Sequence, residues 1–378
     1  MSTMFDYREL KPDCRHFRWE RPCAPHKASG VTCGSCAHHD PVALRLAVVK
    51  LAAVGDVLRT TSMLPAIHAR YPGARVTWIT SPAAADLFRR NPLVDEVWTT
   101  ADAGFAQRTR VQQFDVVLCP DADPATAAIA ADLRAEARVG YTLDSRGYVV
   151  PLGAAAEAWL RMGIDDRLKK DNRETYQALV ARVLELDPAQ VREPILEPSP
   201  DDVAAARELC ERFGLVAPIV GINTGAGGRW QRKRWTSAHQ REFVAGLARR
   251  GLSVLLLGGP EEAGSHDALI PAGGGAVVAS AGTDHSYGRF AALVERCAVL
   301  VTGDTMALHV ACARRVPVVA LFGPTSATEI ELYGRGEKIV PSGLDCLGCY
   351  LPTCAVAPHC QERIQPHDVT AAVERLLG

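Results

Sequence analysis

The sequence has almost no net charge, with 42 Lys and Arg against 43 Asp and Glu. Proteins that hold nucleic acid through its backbone usually carry a basic footprint, so the balance argues against such a partner. Long apolar runs are also missing. None reaches the ~18 residues that a membrane-spanning helix needs, and the first residues lack the basic-then-apolar layout of a secretory signal. The expectation is a cytoplasmic protein that at most touches a membrane surface. No G-x-G-x-x-G follows the first strand and no Walker motif occurs, which speaks against a dinucleotide-dependent dehydrogenase and a P-loop nucleotide hydrolase. Low-complexity tracts are absent too.

What is present is a chain of 378 residues, 48% of them apolar. That is more than twice the ~150 residues of a common domain, which predicts two domains with real cores. Twelve cysteines are unevenly spread. Cys14, Cys23, Cys33 and Cys36 lie near the start, and Cys346, Cys349, Cys354 and Cys360 near the end. Cys119, Cys210, Cys297 and Cys312 fall in apolar runs and read as buried small hydrophobes. In a reducing compartment, clustered cysteines favour metal or redox chemistry over structural disulfides.

Residues 1–41 read as an irregular arm rich in Cys, His and Pro. Strands and helices then alternate. Leu44–Leu51 is a short apolar strand, Asp56–Tyr71 has a helical pattern, and Ala74–Ile79, Val94–Trp98 and Phe114–Cys119 are further strands, with a helix at Ala83–Arg89. Helical sequence fills roughly 155–188, and Glu193–Pro200 is a Pro-rich linker. Alternation then restarts with strands at Pro218–Asn223, Ser253–Gly258, Ala298–Thr302 and Pro317–Phe322. Helices are expected between them at Ala238–Arg250, Tyr287–Cys297 and Met306–Arg314. Such alternation predicts βαβ units, hence an α/β protein with two Rossmann-like halves facing each other across a cleft. Ligands then sit beyond the carboxyl ends of the strands.

Four strand-to-helix junctions point into that cleft. In Lys50–Asp56, Gly55 permits a tight turn and Asp56 stands at a helix start; the simpler alternative is an N-cap. In Asn223–Trp235, small residues leave backbone N–H groups for phosphate and a dense basic segment follows; a solvated basic loop is the alternative. Gly258–Glu262 offers a carboxylate to a ribose or base. In Thr302–His309, Thr305 and His309 converge on one helix start, against the alternative of a capping Asp and a core His. Asp121-Ala122-Asp123 has the spacing of a metal-binding pair, but flanking prolines and the lack of a nearby ligand argue against one.

These segments resemble the heptosyltransferases of the ADP-heptose:lipopolysaccharide type (glycosyltransferase family 9, GT-B fold). The likeness rests on Lys50–Val57 with Leu64-Pro65, Asn223–Trp230, Lys233-Arg234-Trp235, Gly303-Asp304-Thr305 with His309, and Phe322–Thr325. It runs from about residue 43 to the end. Ala52-Ala53 and Met306 depart from the usual Ser/Thr and Gly of the family. The resemblance implies an inverting transfer of a heptose or related sugar from an ADP-sugar to a hydroxyl of a bacterial lipopolysaccharide core or other surface glycan. Asp56 would be the general base, and Lys233 would face the departing diphosphate. Thr224, Gly225, Gly227, Asp304, Thr305 and His309 would bind the donor, with Glu261 on the ribose. No catalytic cofactor is implied. Residues 42–192 become the acceptor-binding domain and 193–345 the nucleotide-sugar domain. Residues 346–378 form a Cys-containing segment and a terminal helix, Asp368–Leu377, that crosses back to the first domain as in other GT-B folds.

The first cysteine group suits a structural zinc or an iron–sulfur cluster, against free thiols or disulfides, whereas the later group reads first as reduced or disulfide-linked cysteine, with a metal as the alternative. With metal bound, each group holds its own ion, or the two ends share one. A transferase acting on a protein or small molecule, and a non-catalytic metal-binding assembly protein on the same scaffold, are the alternatives.

Overall fold

The computed structural model describes residues 9–227, 232–274, 276–351 and 353–378. Twelve strands among them form two six-stranded sheets. The first comprises β1 (Leu44–Val49), β2 (Ala74–Thr80), β3 (Glu96–Thr99), β4 (Gln113–Cys119), β5 (Arg134–Leu143) and β6 (Val149–Pro151). The second comprises β7 (Ile219–Asn223), β8 (Ser253–Leu257), β9 (Val278–Ser280), β10 (Val299–Gly303), β11 (Val318–Leu321) and β12 (Gly336–Ile339). Their orders, β3-β2-β1-β4-β5-β6 and β12-β11-β10-β7-β8-β9, are the same Rossmann order read in opposite directions. Every pairing is parallel except the antiparallel β5–β6 edge. The central strands are buried on both faces, which is why they read as unbroken apolar runs. Strand order reverses between β1 and β4 and between β7 and β10. At these points the connections diverge and open a crevice beyond the strands' carboxyl ends.

The helix expected over Asp56–Tyr71 is broken into Val54–Thr60, a 3₁₀ turn Thr61–Met63 and Leu64–Arg70. Three hydroxyls cause the break: Thr60 donates to Asp56 O, Thr61 to Leu58 O and Ser62 to Arg59 O, each at 2.6 Å. Such back-bonding bends a helix, and Pro65 removes a further donor. Likewise Pro82–Phe88 is a 3₁₀ segment rather than an α-helix.

The terminal helix corrects an expectation. Pro366–Leu377 does not cross back to the first sheet. Its apolar stripe of Val369, Ala372 and Val373 joins the second sheet's own core, with Phe243 and Val299. Trp235 Nε1 donates to Ile364 O at 2.9 Å, and Arg375 pairs with Glu337 on β12. That contact holds the helix on the half that precedes it in sequence.

The arm carries a short helix Ala24–Ser29 and a 3₁₀ turn Cys33–Ser35. Arg15 anchors it: Nη1 binds Asp95 at 2.6 Å and Ala74 O at 3.0 Å, and Nε binds Asp40 at 3.1 Å. Ala74 and Asp95 sit at the amino ends of β2 and β3, so the arm covers the end of the sheet opposite the crevice.

On β5, Gly140 has φ of +95°, and a Cβ there would lie 1.9 Å from Cys119 O on β4. A backbone carbonyl inside a sheet cannot yield. Gly140→Ala should lower the unfolding free energy by about 3 kcal/mol or more in urea titration, through strain plus overlap; a loss under about 1 kcal/mol would contradict this packing.

Candidate functional site

Between the two sheets lies a cleft of about 730 Å³, within the range of small-molecule sites. The loops after β1, β7, β8 and β10 all open into it. At its centre two helix starts meet, Val54–Thr60 from the first half and Met306–Ala313 from the second. A Cβ on Gly55 would sit 3.2 Å from His309 Cδ2 and 3.5 Å from Met306 Cα, so glycine lets the two starts approach this closely.

Asp56 does not cap its helix: the N-cap position is Ala53, with no side-chain cap. Instead the Asp56 carboxylate takes a 2.9 Å ion pair from Arg59 one turn on and faces the cleft. Burial pushes its pKa up, but Arg59, Lys50, His309 and Lys233 outweigh that and bring it down to about 2. Arg59 is in turn stacked 3.6 Å from the Tyr176 ring centroid. Lys50, at the end of β1, donates to both Asp121 oxygens at 2.7 and 2.8 Å and to Ala52 O at 2.8 Å. This buried pair ties the loop that carries Asp56. Asp121 is therefore a lysine partner, and Asp123 caps the helix Pro124–Asp132 through Thr126 N–H; each carboxylate of the Asp121-Ala122-Asp123 pair has its own work.

On the opposite wall Lys233 Nζ binds Asp304 Oδ2 at 2.9 Å and Asp304 O at 3.1 Å. The Lys233 backbone rests on β10, where a Cβ on Gly303 would come within 2.7 Å of Lys233 O. Burial pushes Asp304 up, and Lys233, His309 and Arg59 more than offset it, so its carboxyl lies below the usual range. Asn223 Nδ2 donates to Gly225 O, Thr302 Oγ1 and Thr305 Oγ1, stitching the loops after β7 and β10 together. With Thr305 so engaged, the helix Met306–Ala313 has no side-chain cap at its start. His309 is buried on that helix; burial and Arg59 drive its pKa down, and Asp304 and Asp56 only partly resist, leaving it at about 4. It is neutral at pH 7.

Of the residues expected from sequence, Asp56, Lys233, Gly225, Gly227, Asp304, Thr305 and His309 come together around the cleft. Two do not. Thr224 is fully buried, with its N–H and its hydroxyl both directed at Leu257 O. Glu261 is exposed, and the carboxylate turned into the cleft is Glu262, one residue on. Gly228-Arg229-Trp230 lies outside the described residues. Sequence reasoning missed Arg59, Glu329 and Tyr350, and it had Asn223 and Glu262 inside its motifs without naming them as site residues.

The four late cysteines, Cys346, Cys349, Cys354 and Cys360, surround one small cavity beside Gly323 and Pro324. Burial raises the Cys360 thiol, and the other three add to the rise. None of Cys14, Cys23, Cys33 and Cys36 borders that cavity. Among the described residues no group of three or more Cys, His, Asp or Glu side chains stands as a metal-ligand set. Cys119, Cys210, Cys297 and Cys312 are buried, as expected.

The architecture is that of solved glycosyltransferases. The glycosyl transferase family 9 protein of Veillonella parvula superposes with a TM-score of 0.72 at 19% identity, over 88% of this chain and 97% of that one. The Escherichia coli ADP-heptose LPS heptosyltransferase II gives 0.60 at 21%, over 88% and 98%. The iron-containing dodecameric glycosyltransferase TibC of enterotoxigenic E. coli gives 0.53 at 16%, over 88% and 76%. Lipopolysaccharide heptosyltransferase 1 of Pseudomonas aeruginosa is 25% identical over 383 residues, covering 88% of this chain and 98% of that protein. Residues 103–359 match the profile of Glycosyltransferase family 9 (heptosyltransferase). The chain belongs to this family and is a glycosyltransferase.

His309 makes stability depend on pH. Its folded pKa of about 4 lies below the ordinary 6.5, so the unfolded chain binds the proton more readily. Stability is then complete above pH ~6.5 and is lost toward pH ~4, by up to about 3 kcal/mol. His266 and His285 are also held low by burial and add to the slope. His309→Gln should therefore shrink, without abolishing, the fall in melting temperature between these two pH values; an unchanged slope would refute the assignment.

Proposed function

We propose that this enzyme moves a heptose from an ADP-heptose donor to a hydroxyl of a lipopolysaccharide core or related surface glycan, with inversion. The observation that carries this is the pairing of Asp56 on one wall with Lys233 and Asp304 on the other, around a helix start without a side-chain cap. The names of the relatives supply heptose, ADP and lipopolysaccharide.

In the reaction, Asp56 is ionised and accepts the proton of the acceptor hydroxyl as its oxygen attacks the anomeric carbon. The bond from that carbon to the diphosphate oxygen breaks, and its electron pair leaves with ADP. Lys233 and the N–H groups opening the helix Met306–Ala313 face that growing negative charge, where fixed positive dipoles are worth most. Gly225 and Gly227 let backbone approach the phosphates, Glu262 takes the ribose hydroxyls in place of Glu261, and Asp304, Thr305 and His309 border the sugar. The half around 42–192 binds the acceptor and the half around 193–345 the donor. No described helix is long and apolar enough to cross a membrane, and the reading has the enzyme meet a glycolipid acceptor at the inner face of the inner membrane.

A structural ion is a separate part of the reading. The four late thiols fit a tetrahedral thiolate site in chemistry, although as placed they do not form a ligand set. Such an ion would brace the segment and take no part in transfer. Protein purified without oxygen should carry stoichiometric iron or zinc, lost in a Cys346→Ser/Cys349→Ser variant; metal-free wild type refutes the site.

Calorimetric titration with ADP, UDP, GDP and CMP tests the donor class, and ADP should bind best. Asp56→Asn should lower kcat by about 10²–10⁴ while the Kd for ADP stays within about twofold of wild type. Preference for another nucleotide removes ADP-heptose, and retained turnover removes Asp56 as base.

A further inference from the structure

One face of the cleft is left unused by the roles above, and the inference drawn from it rests on the transfer reading. After β11 the chain passes through Phe322-Gly323-Pro324-Thr325, and Thr325, Ser326 and Glu329 line the cleft. The Thr325 hydroxyl is buried there without a hydrogen-bond partner. The cysteine-rich segment then returns to this loop. Gly348 N–H donates to Gly323 O at 2.9 Å and Tyr350 N–H to Pro324 O at 2.7 Å. These two bonds deliver Tyr350 into the cleft between Cys349 and Cys354. Its hydroxyl accepts from Ser326 N–H at 3.2 Å and donates to the Glu329 carboxylate. From the other half, Lys169 Nζ lies 3.5 Å from the Tyr350 ring centroid, and Tyr176 N–H donates to Glu329 O at 2.9 Å. Arg59 faces Glu329 electrostatically and keeps its Nε buried without a partner.

The chemistry of this face discriminates between ligands. A carboxylate engaged by one phenol retains open lone pairs, the Thr325 hydroxyl can both donate and accept, and Arg59 Nε can donate. Phosphate would meet Glu329 as a like charge. A polyol suits the set, because each hydroxyl both gives and takes a hydrogen bond. Burial pushes the Glu329 carboxyl up against the pull of Arg59, and hydroxyl donors would favour its ionised form. The face follows β11, the neighbour of the β10 strand that carries Asp304 and Thr305, so it belongs to the donor half. It also lies beside Arg59 and hence Asp56, where the transferred sugar must be.

We propose that Thr325, Glu329 and Tyr350 form a subsite for the hydroxyls of the transferred sugar, and that Tyr350 is set there by the cysteine-rich segment. These residues select the donor sugar and are not the reacting groups.

The test uses the full chain, with Glu329→Gln and Tyr350→Phe assayed on ADP-heptose and ADP-glucose and titrated with ADP. KM for ADP-heptose should rise about tenfold or more, the preference for heptose over glucose in kcat/KM should shrink about tenfold, and the Kd for ADP should stay within about twofold. Tyr350→Phe keeps the ring and guards against simple unfolding, with melting curves recorded for both variants. A rise in acceptor KM alone would overturn the donor assignment. Unchanged sugar discrimination with normal ADP binding would overturn the subsite and leave the transfer reading standing. Wild-type protein that binds no ADP would overturn both.

Discussion

The close approach of two helix starts at Gly55 is the constraint on which the site depends. With a Cβ at Gly55 only 3.2 Å from His309 Cδ2, any other residue would make this junction give by a few tenths of an ångström. At that junction four charges are set in two pairs, Asp56 with Arg59 and Lys233 with Asp304. Each pair holds its long cation near where a ligand charge would develop, so less side-chain freedom is lost when the ligand arrives. The surrounding framework serves the same end. Lys50 and Asp121 tie the loop before Asp56, Asn223 ties the loops after β7 and β10, and Gly303 seats the Lys233 backbone.

The strand pattern was legible because parallel strands buried on both faces leave continuous apolar runs. β1, β2, β4, β7, β8, β10 and β11 all stand out for that reason. β5 did not, since four of its first five residues are exposed or charged, and β12 carries Glu337 and Lys338 at an edge. In the site, junction motifs found Asp56 and Thr305, because polar side chains just beyond a buried strand's carboxyl end face the crevice rather than the core, and Lys233 was named by the family resemblance. They could not separate Glu261 from Glu262. The choice depends on which residue the first turn rotates inward, with Glu262 held by Gly259 N–H at 2.9 Å. Thr224 matched the motif but spends its polar groups on Leu257 O, a contact between strands that local sequence does not encode. An Arg three residues after an Asp is an ordinary helix-surface spacing, so nothing local singled out Arg59. Tyr350 carried no signal, because only the return of the chain onto Pro324 brings it to the cleft.

The cysteine-rich segment is built into the second half rather than appended to it. A Cβ on Gly323 would lie 2.4 Å from Cys360 Sγ, so the segment packs directly behind the loop that carries Thr325 and Ser326. The four thiols therefore lie directly behind one wall of the cleft. The arm at the other end of the chain has no such connection, being anchored by Arg15 at the far edge of the first sheet. The two groups of four cysteines thus occupy different places among the described residues, the earlier one in the arm and the later one beside the cleft.

A carboxyl with a pKa of about 2 is a poor match for a general base near neutrality, where efficiency favours a pKa close to the working pH. The cause of the depression also supplies its remedy in the proposed reaction. Arg59, Lys50, His309 and Lys233 lower Asp56, and of these Lys233 is the one set to face the diphosphate. A bound diphosphate would bring negative charge to Lys233 and exclude water from the junction, and both changes raise a carboxylate's pKa. Asp56 then gains basicity only when the donor is in place.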